Sequence, residues 1–431
     1  MKPRFFLFIL SCILLGAPQQ SKAQFWKKLF GTEEKKKSKK KPATKPKEKP
    51  AVEAGKKKRK TLEYPASKVK TRYRIDVLVP LYLDELVQNN KVTFKDRKVP
   101  EKAVTGLSFY EGIKLASDTL TALGYNADIF IHDITQKGLS PEELVKSSAL
   151  NESDLIIGAL QSSQIKEIAD FAKKNQINFI SAISPSAADV KDNLYFTMLQ
   201  PTLEKHCERI KEAAVKKHGN KNILLLYRTN NSVDSVAAGY TLQNDEKTFH
   251  KILWNKAPKR SELEHLFDSS KENVIIMPVV DNSFAESIVQ QLSSWFPEHR
   301  FEIYGMPSWK FISTLRKSEA YPNIAVYFTS PFYYDLTTSA AQTLASNHRK
   351  QFGGRMGEMV FRGYEVLCWY AYLLQRYGTI YNARQSDNKA APFTKFEIKP
   401  QWNQQQHFLY QENEHLYIYR YQSGSFVVNA L

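Results

Sequence analysis

From Tyr73 onward, short apolar runs alternate with stretches in which apolar residues recur every three or four positions. Arg74–Leu81 (RIDVLVPL) has the length and composition of a strand. Val104, Leu107, Tyr110, Ile113, Ala116 and Leu120 then mark one face of a helix over 104–123. Gly124 closes that helix, at a position where a residue free to take positive φ is favoured. Further strands are predicted at Ala127–Asp133, Asp154–Ala159, Asn178–Ile183 and Leu194–Met198, with helices at Pro141–Ser147 and Ser162–Lys174. The alternation restarts at Lys221. Strands follow at Asn222–Tyr227, Lys251–Trp254, Val274–Met277, Phe301–Tyr304 and Ile324–Phe328, and a helix at Phe284–Trp295.

Strands separated by helices build parallel sheets through right-handed βαβ units. Two such blocks predict an α/β protein of two doubly wound parallel-sheet lobes joined by a hinge. A long aromatic-rich helix over Phe361–Tyr377 departs from the alternation. Phe393–Ile398 then reads as a strand, and His415–Arg420 with Ser425–Asn429 as a C-terminal β-hairpin. Lobe one is expected to comprise 73–200 plus 331–392 and lobe two 201–330, with 393–431 as hinge return and hairpin. The hinges fall near Leu199–Pro201, Ser330–Phe332 and the segment approaching Phe393.

The first 72 residues follow other rules. Lys2 and Arg4, the apolar run Phe5–Ala17 and the small-residue end Ser21-Lys22-Ala23 read as a signal peptide over 1–23, cleaved before Gln24. The residues before Cys12 fit a lipid-anchoring motif poorly. Residues 24–72 carry lysine blocks interleaved with prolines and read as a disordered basic tether. Its roles are those of a solvated spacer or of weak adhesion to an anionic envelope surface such as phospholipid or peptidoglycan.

This placement changes the meaning of the net charge of +18. Residues 27–72 hold 19 Lys plus Arg against 5 Glu, and residues 1–26 contribute +3, so the remaining 359 residues carry only +1. The basicity belongs to the tether, and nucleic acid is not an expected partner. Cys207 and Cys368 do not make a disulfide framework and read as buried free thiols.

The ordered series Asp154–Gln164 (DLIIGALQSSQ), Ile168–Ala172 (IADFA) and Ile180–Pro185 (ISAISP) resembles the type I periplasmic binding proteins, of which the leucine/isoleucine/valine-binding protein is the best-known member. Phe109-Tyr110-Glu111-Gly112, Gly305 with Trp309, and Phe361–Val366 (FRGYEV) extend the resemblance over roughly 73–431. It implies an exported receptor that closes two lobes on a small polar ligand, amino-acid-like or peptide-like, and delivers it to an ABC permease. Relatives with the Phe-Tyr-Glu-Gly variant include proteins with peptidoglycan-binding LysM modules. The lobes also resemble outer-membrane activators of penicillin-binding proteins. The alternative is therefore a non-transport regulatory protein of the cell envelope on the same scaffold.

Ligands of open α/β sheets meet the carboxyl ends of the strands. The loops concerned are Tyr82–Asp84, Gln161–Ser163 and Ser184–Ala188 in lobe one. In lobe two they are Arg228–Asn231, Val279–Ser283 and Met306–Trp309. Ser162 and Ser163 open a helix, where a hydroxyl and free amides suit a carboxylate; a plain N-cap is the alternative role. The resemblance implies a carboxylate contact at Ser162, and a Thr where this chain has Ala188, with Ser184 and Ser186 nearby. It also implies an acid after the ninth strand to pair a ligand ammonium, whereas Met306-Pro307-Ser308 offers none. Asp281, beside Asn282, is the candidate substitute, although an Asp before a helix is also a cap. Tyr82 and Trp309 complete the candidate ligand-binding set.

No dinucleotide-binding glycine motif, phosphate loop or Gly-x-Ser-x-Gly elbow is present. The nine His lack metal-ligand spacing. A binding protein without catalytic residues, cofactor or metal is expected.

Overall fold

A computed structural model describes residues 61–89, 91–93, 98–219, 223–243, 249–317 and 319–429. The expected signal peptide and the lysine-rich part of the tether lie outside the described residues.

Lobe one is built on β1 (Tyr73–Val79), a small ribbon of β2 (Val87–Gln88) and β3 (Lys91–Val92), β4 (Ala127–Asp133), β5 (Leu155–Gly158), β6 (Asn178–Ser181) and β7 (Phe196–Met198). Helices α1 (Leu83–Leu86), α2 (Glu101–Ala122), α3 (Pro141–Lys146) and α4 (Ser162–Asn175) connect them. Strand side chains alternate between two faces. Ile75, Val77, Val79, Leu155, Ile157 and Ile180 share a core with α2, whereas Leu78, Ile156, Phe179, Phe196 and Met198 pack against α4. Both faces are covered, so the strands read as continuous apolar runs.

Lobe two follows with α5 (Leu203–His218), β8 (Ile223–Tyr227), α6 (Ser232–Leu242), β9 (His250–Leu253), α7 (Arg260–Leu263), β10 (Glu272–Ile276), α8 (Asn282–Trp295), β11 (Arg300–Tyr304) and β12 (Ile324–Ser330). The chain then returns to lobe one with α9 (Ser339–Phe352) and α10 (Glu358–Tyr377). It ends in β13 (Ile398–Trp402), β14 (Phe408–Asn413), β15 (Tyr417–Gln422) and β16 (Ser425–Asn429). The two large sheets run β13-β14-β7-β6-β5-β1-β4 and β16-β15-β12-β11-β10-β8-β9. The two-lobed α/β architecture and the C-terminal hairpin are therefore as expected. Ser423 and Gly424, both at positive φ, make its two-residue turn.

Three differences bear on function. The expected strand at 393–398 starts only at Ile398, and an unforeseen strand, β14, pairs parallel to β7. The third crossing between sheets consequently lies at 414–416, not near Phe393. Residues 64–70, expected to belong to the disordered tether, are fastened to the body. Ser67 Oγ donates to the Tyr377 carbonyl at 2.6 Å, the Thr379 amide donates to the Lys68 carbonyl at 3.0 Å, and Lys70 pairs with Asp154 at 2.6 Å. Backbone pairing beside Gly378 holds a stretch whose composition alone reads as a spacer.

Cys207 and Cys368 are buried and free, and burial pushes the Cys207 thiol up to about 12. Among the described residues no helix is long and apolar enough to cross a membrane.

Candidate functional site: the cleft between the lobes

A cavity of about 530 Å³ opens between the lobes. Lobe one supplies Val104, Thr105 and Ser108 from α2, Ile183 and Pro185 after β6, and Gly357, Glu358, Met359 and Arg362 at the start of α10. Lobe two supplies Pro307, Ser308, Lys310 and Phe311 after β11 and Thr329 at the end of β12. Gln200 and Pro331, on the first two crossings, complete the wall.

One ionic group spans the cleft. Lys310 Nζ of lobe two lies 2.9 Å from Glu358 Oε2 of lobe one, and Glu358 Oε1 accepts from Arg362 one turn along α10. Burial raises the Glu358 carboxyl, but the Arg362 and Lys310 charges outweigh it and hold it below the usual carboxylate range. Arg362 is 5% exposed and touches both early crossings. Its Nη1 donates to Gln200 Oε1 at 3.3 Å and its guanidinium lies 3.7 Å from the Phe332 ring centroid. Behind Thr329, His206 Nδ1 is 2.6 Å from Thr329 Oγ1; burial, reinforced by the Lys310 charge, lowers this imidazole to about 3, so it is neutral.

The eight residues expected from sequence are not among this wall. Ser162, the first residue of α4, is exposed with Oγ 3.4 Å from Ser184 Oγ, and the N-cap is Gln161 rather than Ser162. Ser163 is exposed beside it. Ser184 Oγ accepts the Ser186 amide at 3.2 Å, and Ser186 Oγ accepts the Ala188 amide at 3.2 Å. These hydroxyls shape a loop in which Ala188 and Asp189 take positive φ. Tyr82 sits apart on the β1 loop, also at positive φ, its ring under Lys102 Nζ at 4.8 Å.

In lobe two, Asp281 does not stand free as a counter-ion. Its Oδ2 accepts from Arg228 at 2.9 Å and its Oδ1 caps α8 at the Phe284 amide. Arg228, stacked 3.9 Å from the Phe284 ring centroid, also bonds the buried Asp234, which takes the Val280 amide at 2.7 Å. Asn282 Oδ1 is buried without a hydrogen-bond partner among the described residues. An Asp281→Asn change keeps the cap but loses a half-exposed ion pair, and a fall of about 1 kcal/mol in urea-unfolding free energy is expected.

Trp309 is a correction to the expected ligand set. It is wholly buried, its Nε1 donates to the Val279 carbonyl at 2.7 Å, and its ring lies against Gly305, where a Cβ would stand 2.4 Å from the indole. The paired Gly and Trp are a packing device of the lobe-two core.

The residues that sequence reasoning missed are Lys310, Glu358 and Arg362. The signal was present: Glu358 and Arg362 are four apart at the opening of the long helix, and Lys310 stands one residue beyond the Met306–Trp309 loop. Elsewhere, His218, Glu272 and Glu302 approach as metal ligands would. Lys217 Nζ lies 2.7 Å from both Glu302 oxygens and already supplies the counter-charge.

Two sheet-based lobes, three crossings and a cavity walled from both sides define a two-lobed binding protein. A family model described as periplasmic binding protein matches residues 102–424, and the chain belongs to that family. The family is one of extracytoplasmic solute-binding proteins, a class typically without enzymatic activity. A putative branched-chain amino acid ABC transporter protein from Rhodospirillum rubrum aligns with a TM-score of 0.56 at 11% identity, covering 83% of this chain and 100% of that one. The closed leucine-, isoleucine-, valine-, threonine- and alanine-binding protein from Brucella ovis gives 0.52 at 10%, covering 83% and 94%. Full-length LpoA from Haemophilus influenzae gives 0.53 at 13%, covering 85% of this chain and 60% of that one. At these identities the likeness is one of fold. A search of curated proteins found no match.

Proposed function

We propose that this chain is an exported receptor whose lobes close over a small polar solute in the cleft, for delivery to an ABC permease. The observation that carries the reading is the cavity itself, walled by both lobes and bordered by two of the three crossings, so that lobe rotation changes its volume. Ser162 and Ser184 stand outside the cavity wall beside Ile183 and Pro185, and their contact to the solute is proposed to form when the lobes close. The basic segment before residue 61 keeps the chain near an anionic envelope surface.

The test is a thermal-shift screen against amino acids, short peptides, sugars, organic acids and muropeptides. A solute at 100 times its Kd adds about 2.7 kcal/mol, a shift of several degrees. Ser162→Ala is expected to weaken binding roughly threefold to tenfold, the worth of one hydrogen bond. An unchanged Kd removes the serine pair from the site. A flat response to every solute class sinks the receptor reading.

A second reading, an envelope regulatory protein, draws on a different feature. A cavity of about 730 Å³ lies on lobe one alone, between α2, α9 and 391–393, lined largely by apolar side chains such as Leu115, Leu123, Leu344 and Phe393. A partner seated there would bind without lobe closure. Pull-down from envelope extracts that survives Ser162→Ala and fails with Leu344→Asp would favour it.

A further inference from the structure

The charges in the cleft define the chemistry of its solute. Lys310 and Arg362 bring two positive charges and Glu358 brings one negative, and no other ionisable side chain is part of the wall. The balance is +1. Arg362 is almost wholly buried, with Nη1 on Gln200 and Nη2 on Glu358, and the Tyr334 hydroxyl lies against the same guanidinium. The Arg362 charge is shared with one carboxylate that Lys310 also uses, so the group keeps an excess positive charge at the cavity. The same wall holds Gly357, Glu358 and Met359, the N-cap and first residues of the twenty-residue α10, which has no side-chain cap. A helix start and two cations that share a single carboxylate line one cavity, and both favour an anion.

A cationic group on the solute would find no counterpart. The single carboxylate, Glu358, is already shared by Lys310 and Arg362. An ammonium entering here would stand beside two cations with no free acid, a costly arrangement in a partly desolvated site. Val104, Ile183, Phe311 and Met359 offer apolar surface to the rest of the molecule.

Resting on the receptor reading above, we infer that the cleft selects a small organic carboxylate with an apolar body and no ammonium group, held by Arg362 and Lys310. Arg362 also touches Gln200 and Phe332 on two crossings, so an anion drawn to it acts where the lobes turn.

The test uses three compounds with one carbon skeleton: leucine, leucinol and 2-hydroxy-4-methylpentanoate. Each is titrated calorimetrically into the full chain, beside the wider solute screen. The hydroxy acid is expected to bind at least tenfold more tightly than leucine, and leucinol not measurably. Lys310→Gln and Arg362→Gln are each expected to weaken the hydroxy acid at least tenfold. Lys310 is partly exposed, so its variant remains informative should the Arg362 variant fail to fold. Leucine binding as tightly as the hydroxy acid, an unchanged Kd in Lys310→Gln, or binding only of neutral solutes in the wider screen overturns the inference and leaves the receptor reading standing. Silence of the whole screen removes both.

Discussion

Gly363→Ala and Gly112→Ala should each cost about 3 kcal/mol of unfolding free energy, the upper end of what one added methyl does in a packed core. The reason is the crossing of α2 and α10. A Cβ on Gly363 would stand 2.1 Å from the Phe109 carbonyl oxygen, and one on Gly112 would stand 2.1 Å from the Val360 carbonyl oxygen. In both cases the obstacle is backbone, which cannot rotate away as a side chain can. The helices must separate, and the Ile113, Val366 and Tyr370 layer of the lobe-one core separates with them. Because one separation accommodates both methyl groups, the double variant should cost clearly less than the sum of the singles. Gly239→Ala in α6 is the control. No atom of the described residues lies within 4 Å of its Cβ position, so the change should stabilise by roughly 0.5 to 1 kcal/mol through helix propensity. Urea denaturation of the four variants reads all of this. A fully additive double variant would show the two glycines to be independent and the close crossing to be immaterial.

These glycines explain why parts of the sequence were legible. The Phe-Tyr-Glu-Gly and Phe-Arg-Gly-Tyr-Glu-Val segments, far apart in the chain, are the two sides of one helix contact. Gly305 and Trp309 are likewise one contact. Such motifs constrain backbone approach, and they identify a fold before they identify a ligand. The strands of both lobes were legible for a related reason, since helices cover both sheet faces and leave almost unbroken apolar runs.

What escaped was polar and buried. β14 ends in Gln411, Glu412 and Asn413, all at most 2% exposed, a composition that does not read as a strand. Those side chains bond Tyr64 Oη, the Thr202 amide and the Leu199 carbonyl, partners brought together only by the folded crossings. Arg362 escaped similarly, because it occupies a helix buried along fifteen consecutive residues from Val360 to Leu374. Its partners Gln200, Phe332 and Glu358 come from three separate parts of the chain. The candidate serines were found because a hydroxyl pair before a helix is a local signal. A cleft charge assembled from two lobes is not.

The same helix sets a pH dependence that Glu365→Gln should remove. Glu365 is fully buried, and desolvation pushes its carboxyl up to about 7, against the lowering effect of the Thr394 and Phe393 amides that donate to Oε1. The Thr394 side chain and the Arg362 charge also favour the carboxylate, and desolvation outweighs them all. Below pH 4.5 the group is protonated both folded and unfolded. As the pH rises above 4.5, only the unfolded chain releases the proton, and stability falls until the folded group ionises near 7. The elevation amounts to roughly 3 kcal/mol. Glutamine offers the same acceptor to the two amides without a titrating proton. The variant should match the parent near pH 4.5 and exceed it by about 3 kcal/mol at pH 8, in chemical denaturation at each pH. Glu412, raised to about 7 by burial while accepting the Thr202 amide at 2.7 Å, acts in the same direction at the first crossing. The parent should therefore retain part of its fall in the Glu365 variant and lose nearly all of this component only when Glu412→Gln is added. Parallel pH profiles for parent and Glu365→Gln would mean that the folded protein carries Glu365 as a carboxylate throughout, with the Arg362 charge and the Thr394 side chain outweighing desolvation.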